Sequence, residues 1–343
     1  MLIEAFTQRN SNCMGNEKND SYKLSIAPMM DCTDKHFRMI MRQITKKALL
    51  YTEMIAAQSI YYSANASKLL SFHEAEHPIA LQIGGENLKI LKKASIMAEE
   101  WGYDEINLNI GCPSPRVKAG NFGASLMKSP EKVAKCIEIL NNTSSLPITV
   151  KHRIGVDNYD SFEFLEDFVL KCAEAGAKRF IIHARKAILK GLNPKQNRTI
   201  PPLRYDLVQK LKHNNPELII EINGGFKDIE SCINYLKIFN GVMVGRSAYN
   251  HPMNWQRIDE MIFGCPKISL KPSDVIDKMI PYCDNYLLQG GRLWDIGKHF
   301  LKLVEGIPGA KIWRNDLSQK LQNNMNNIEI IENSKNKLKD NGY

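Results

Sequence analysis

Cys112 stands in the segment Asn109-Ile110-Gly111-Cys112-Pro113-Ser114-Pro115, directly after the apolar run EINLNIG (105–111). A following proline disfavours helical dihedrals, so Cys112 is expected to be extended. Gly111 lets the chain turn sharply out of the strand. The thiol is therefore offered at a strand's C-terminal end, where the catalytic groups of parallel α/β folds gather. With an ordinary pKa of about 8.5 it is protonated at neutral pH and able to give up a proton. A free cysteine is more often a small buried hydrophobe, and the loop by itself does not separate the two.

Other polar residues recur at the ends of apolar runs: Glu53, Gln82, Asn107, Asn109, Lys151, Arg153, His183 and Arg185. Strand alternation turns Asn107/Asn109, Lys151/Arg153 and His183/Arg185 to one inner face. Burying so many polar groups for packing alone is costly, so a functional pocket is expected. Asn223-Gly224-Gly225 and Gly245-Arg246 close the series. This pairing matches the phosphate site after strands seven and eight of many barrels. The glycines admit backbone N–H groups, Arg246 adds a charged donor, and a short helix starting near Ser247 would add its dipole. Gln82, Lys151 and His183 suit the polar edge of a flat heterocycle. Lys151 would stabilise negative charge on a reduced ring, and Pro28-Met29 offers an apolar wall. Phosphate at one end and ring across the mouth is the shape of an FMN site. Cys112 would reach the opposite face of a substrate stacked on that ring, and the other seven cysteines have no such context.

The elements that must position these groups are short apolar runs: 24–30, 48–54, 79–84, 105–111, 148–155, 179–185, 218–224 and 241–246. Helical patterns lie between most of them, at 36–44, 87–102, 131–142, 162–176, 205–213 and 228–239. Alternating strand and helix predicts parallel pairing with crossovers. Eight such units predict an α/β fold, a (β/α)8 TIM barrel. A doubly wound open sheet is the alternative, without a GxGxxG after the first strand. Beyond Gly264 three stretches, 273–291, 294–317 and 318–340, are helical in period. The predicted organisation is a flexible tail over 1–22, a catalytic barrel over 23–264 and a small all-helical domain over 265–343.

The chain has 343 residues with 8 scattered cysteines and no CxxC pair. That argues against a zinc site or a disulfide framework and fits a reducing cytoplasm. The N-terminus has no apolar core of a signal peptide, and no apolar run nears the ~20 residues of a membrane span. The formal net charge of +9 favours polyanionic partners, although it is spread diffusely.

The motifs SIAPMMDCTD (25–34), LYTEM (50–54), ALQIGG (80–85), NLNIGCPSPRV (107–117), GNFGASLM (120–127), TVKHRIG (149–155), IHARKA (182–187), EINGG (221–225) and VMVGRSAYNHP (242–252) resemble the tRNA-dihydrouridine synthases. The stretch KGLNPKQNRTIPPLRYD (190–206) is similar to the A-type subfamily. The resemblance implies an FMN-binding barrel with a C-terminal helical tRNA-binding domain. It implies reduction of D-loop uridines at positions 20 and 20a with NADPH, or NADH, as reductant. Cys112 would be the general acid that protonates C5 after hydride reaches C6. Pro28, Met29, Gln82, Lys151, His183, Asn223, Gly225, Gly245 and Arg246 would hold FMN. Asn109 would lie near flavin and base, and Arg185 and Lys186 would meet RNA. No metal or membrane is expected, and a monomer is the default. Rival readings are a flavin barrel acting on a free pyrimidine, a tRNA-binding protein with a vestigial flavin site, and a flavin-free sugar-phosphate barrel.

Overall fold

The computed structural model describes residues 20–343 apart from 116, 118, 119, 121 and 324–326. Its strands are β1 (Leu24–Ile26), β2 (Leu50–Tyr51), β3 (Ile55–Ala56), β4 (Ile79–Gly84), β5 (Glu105–Ile110), β6 (Ile148–Arg153), β7 (Arg179–His183), β8 (Ile220–Asn223) and β9 (Gly241–Val244). All pairs are parallel, in the order β1-β9-β8-β7-β6-β5-β4-β2, with β3 alongside the end of β4. A single bridge, Ser25 to Leu49, joins β1 back toward β2 and closes the ring. The expected TIM barrel is therefore what the chain forms. β1 stops short of its apolar run because Pro28 has no N–H for a ladder. Ala27 N–H still reaches the Val244 carbonyl at 2.7 Å.

Helices α1 (Lys35–Ile44), α2 (Leu88–Glu100), α3 (Pro130–Asn141), α4 (Phe162–Glu174), α5 (Tyr205–Asn214) and α6 (Ile229–Leu236) pack outside the strands. Their starts are chemically marked. Asp34, Asn87, Ser161 and Asp228 accept backbone N–H groups of the first turn of α1, α2, α4 and α6, and Pro130 opens α3. The main apolar core lies between strands and helices, with Leu81, Ile106, Leu108, Val150, Ile182 and Ile222 fully buried. A second, small cluster sits inside the ring: Ala27, Leu49, Tyr51, Ala80, Ile181 and Met243. The rest of the interior is polar, as strand alternation requires.

Among the described residues the C-terminal region has four helices rather than three helical stretches: α8 (Pro272–Leu288), α9 (Leu293–Leu303), α10 (Ala310–Gln322) and α11 (Glu329–Asp340), following the short α7 (Arg246–Asn250). Gly306 and Gly309, both at positive φ, break the 294–317 run, because a helix interior does not accommodate that turn. α8 and α9 pack on α1. Asp34, the cap of α1, also pairs with Lys298 and His299 of α9, each at 2.9 Å, and His36 Nδ1 lies 2.9 Å from Tyr282 Oη of α8. No described helix is long and apolar enough to cross a membrane.

The expected tail over 1–22 mostly lies outside the described residues. Its last residues are packed: the Ser21 carbonyl accepts Leu49 N–H at 3.2 Å, and the Arg179 guanidinium sits 4.7 Å from the centre of the Tyr22 ring.

Candidate active site

The C-terminal strand ends open into a cavity of about 2150 Å³. Its walls bring together Pro28, Met29, Gln82, Asn109, Cys112, Lys151, His183, Arg185, Asn223, Gly225, Gly245 and Arg246. Asp295 and Lys298 of α9 reach the rim.

Cys112 is held by its backbone. Its N–H and that of Gly111 both donate to Asn109 Oδ1, at 3.0 and 3.1 Å. Its carbonyl accepts Ala124 N–H at 2.9 Å. Arg153, nearly buried, donates from Nε to the Gly111 carbonyl at 2.9 Å and from Nη1 to the Lys186 and Asn197 carbonyls at 3.1 and 3.0 Å. One guanidinium thus ties the cysteine loop to the segment after β7. Burial pushes the Cys112 thiol pKa up, and the opposing pull of Ser114 N–H, Arg153, Arg198 and Lys151 does not cancel it. The thiol is a protonated group with cations around it.

Lys151 Nζ donates to Asn223 Oδ1 at 3.0 Å, and Asn223 Nδ2 donates to the Met243 carbonyl at 2.8 Å. Burial, with Arg153 second, lowers the Lys151 pKa to about 8. His183 is pushed well below the usual imidazole range by burial and then by Arg153, Lys151, Arg185 and Arg246. It is therefore neutral, and its Nδ1 is buried without a partner. Gly224 and Gly225 have φ of +117° and +86°, which disfavour any side chain. A Cβ at Gly225 would also lie 2.7 Å from Tyr205 Oη. Arg246 is exposed and donates to the Arg198 carbonyl at 3.2 Å. It opens α7, so the short helix begins one residue before the expected Ser247.

Arg185 follows β7 and donates from Nη1 to the Pro201 carbonyl. Lys186 stands apart from the lining residues, its ammonium on Asp160 Oδ2 at 2.7 Å and the Asp157 carbonyl at 3.2 Å. Three residues at the mouth carried no assigned role in the sequence reading. Arg198, in the turn Gln196–Arg198, acts on both Cys112 and Cys32. Cys32 lines the cavity, which corrects the expectation that Cys112 alone had such a setting. Burial, then Glu53 and Asp31, raise the Cys32 pKa. Glu53 accepts Asp31 N–H, and burial raises its own pKa. Asp31, at a positive φ of 63°, brings its N–H to Glu53, a contact that strand spacing does not reveal. Among the described residues no group of three or more His, Cys, Asp or Glu could hold a metal ion.

Residues 25–340 match the family described as "Dihydrouridine synthase (Dus)". The chain is 50% identical over 297 residues to the tRNA-dihydrouridine(20/20a) synthase of Synechocystis sp., covering 86% of this chain and 88% of that protein. It is 45% identical over 320 residues to the protein of the same name from Escherichia coli strain K12, covering 92% of each. Among solved structures, a 2-naphthoyl-CoA reductase complex matches 69% of this chain and 50% of its own with a TM-score of 0.54 at 8% identity, a likeness of fold.

Proposed function

The chain belongs to the dihydrouridine synthase family, and we propose that it reduces the C5=C6 bond of uridines 20 and 20a in the tRNA D-loop, using FMN and NADPH. The observation that carries this reading is Cys112, fixed by its backbone at the wall of the cavity with Arg153, Arg198 and Lys151 near enough to act on its thiol.

The residues present fit FMN. His183 Nδ1 is a buried polar atom lacking a partner, and an aromatic cofactor's polar edge would satisfy such a group. Arg246, Arg198 and Arg185 lie near one another at the mouth, and paired glycines leave the backbone bare, which suits a phosphate. Pro28, Met29, Gln82, Lys151, Asn223, Gly225 and Gly245 would hold the remainder. Bound there, FMN would supply the hydride for C6.

The protein's own residues do the rest. The Cys112 Sγ–H bond breaks, its proton goes to C5, and C5=C6 becomes a single bond carrying one new hydrogen at each carbon. The thiolate left behind faces Arg153, Arg198 and Lys151, which lower its energy, and it regains a proton from solvent. Asn109, beside the loop, orients the base. The uridine must leave its stack to enter the cavity. Arg185 and the basic helical region would hold the RNA backbone, while the paired Lys186 would act at the outer edge. Every described cysteine is free, which suits a reducing compartment.

The test is Cys112→Ala. The variant should retain FMN and oxidise NADPH, yet leave about 1% or less of the dihydrouridine in tRNA, a loss of the size that general-acid removal brings. Mass spectrometry of tRNA nucleosides reads it out. Wild-type product levels in this variant would remove Cys112 from the chemistry.

A further inference from the structure

Inward side chains of β4, β5 and β6 join the site to the barrel floor by one unbroken series of hydrogen bonds. Asn109, whose Oδ1 already holds the Cys112 loop, donates from Nδ2 to Gln82 Oε1 at 2.8 Å. Gln82 Nε2 donates to Asn107 Oδ1 at 2.7 Å, and Asn107 Nδ2 donates to Thr149 Oγ1 at 2.8 Å. Thr149 donates to Glu105 Oε1 at 2.5 Å. At the floor, Arg179 Nη2 holds Glu105 Oε2 at 2.6 Å, and Tyr51 O–H reaches Glu105 Oε1 at 3.1 Å. All of these side chains are buried.

Every member donates in the same direction. A carboxylate only accepts, so the single hydroxyl hydrogen of Thr149 goes to Glu105 and its lone pair faces Asn107. Asn107 must then turn its nitrogen down and its oxygen up, and Gln82 and Asn109 must follow. The other end makes the same demand independently, since the Cys112 loop offers two N–H groups and needs an oxygen. Turning over one amide would set nitrogen against nitrogen at one junction and oxygen against oxygen at the next. In a dry interior each unpaired group costs about 1–3 kcal/mol.

We propose that Glu105 and Thr149, at the barrel floor, are positioning residues that fix which way the amides of Gln82 and Asn109 present at the mouth. Each of these amides has one N–H committed within the series and one to spare. With the series so directed, these second N–H groups and the Lys151 ammonium are the donors left for the carbonyl oxygens of a flat dione such as a flavin or a uracil. The ligand in this statement rests on the function proposed above, whereas the polarity of the series does not.

The test compares Thr149→Val, which keeps shape and loses the hydroxyl, with Thr149→Ser, which keeps the hydroxyl. Two quantities are read on the full-length protein: the Kd for FMN, and the rate at which iodoacetamide alkylates Cys112, followed on its peptide. Thr149→Val should weaken FMN about tenfold, the worth of one good hydrogen bond, and speed alkylation as the loop loses its anchor. Thr149→Ser should restore both. Wild-type values of both in Thr149→Val, even with a lowered Tm, would overturn the proposal. If Thr149→Val does not fold, Glu105→Gln serves, because an amide donating to Thr149 opposes the direction that the Cys112 loop demands; FMN binding should weaken and alkylation speed up, and wild-type values of both would overturn the proposal. Wild-type protein that does not bind FMN would overturn the flavin reading instead, and the alkylation rate alone would then judge the polarity.

Discussion

A thiol that must surrender a proton needs to be protonated first, and burial of Cys112 secures that. Cations nearby then make its departure affordable. Arg198 is one of them, and Arg198→Ala should slow dihydrouridine formation about tenfold, less than the hundredfold or more that losing a directly bonded charge-stabilising donor costs. The assay should be run with FMN saturating, because Arg198 also belongs to the arginine cluster proposed for the phosphate. Lys151 sets an alkaline limit. With its pKa lowered to about 8, it carries its charge at pH 7 and loses it as pH rises through about 8. The kcat/KM profile of the wild type should fall there, and Lys151→Arg should move the fall upward. A profile flat to pH 10, with 10 being about the ordinary lysine value, would contradict this role.

At the scale of elements, apolar runs bounded by Gly and Pro made the barrel strands legible, and the helices between them ended within a few residues of their expected limits. What escaped was set by contact rather than by period. Arg198 and Cys32 lie on loops whose reach over the mouth depends on turns such as the one at Asp31. Lys186 follows the strand pattern in sequence yet finds Asp160. Other consequences belong to the elements themselves. His152, on the outer face of β6, is buried between Phe168 and Phe180, and burial lowers its pKa to about 4. The unfolded chain binds that proton near the ordinary value, about 6.5. Stability from the neutral form is therefore present above about pH 6.5 and lost as pH falls toward 4. The loss amounts to about 3 kcal/mol. Urea midpoints at neutral and acid pH should show it, and His152→Leu should flatten the dependence. Gly225→Ala should cost about 1–3 kcal/mol through its positive φ, with a lowered Tm and weaker FMN binding.

For the molecule as a whole, Asp34 is one of the residues, with His36, through which barrel and helical region meet. Burial would raise its pKa, but His299, Phe37 N–H and Lys298 hold it well below the usual carboxylate range. Asp34→Ala removes a helix cap and uncovers a buried histidine, a loss of about 2–4 kcal/mol. Hydrogen exchange should rise across α8 and α9. Exchange unchanged from wild type would mean that the packing of α1 alone holds the two parts together. If RNA backbone is held by diffuse positive charge, log Kobs for tRNA should fall linearly with log salt. The closure of the ring has a consequence of its own. β1 and β2 are among the shortest strands and meet through one bridge, whereas β5, β6 and β7 share long registers. The cylinder thus has a stiff wall, which bears Cys112 and Lys151, and a zipper with one tooth, flanked by Pro28, Met29 and Glu53. Amides of Ile26 and Leu49 should exchange well before those of Leu108 and Val150. A wall that parts on the side away from the thiol would let a bulky nucleotide in while the reacting groups stay in register.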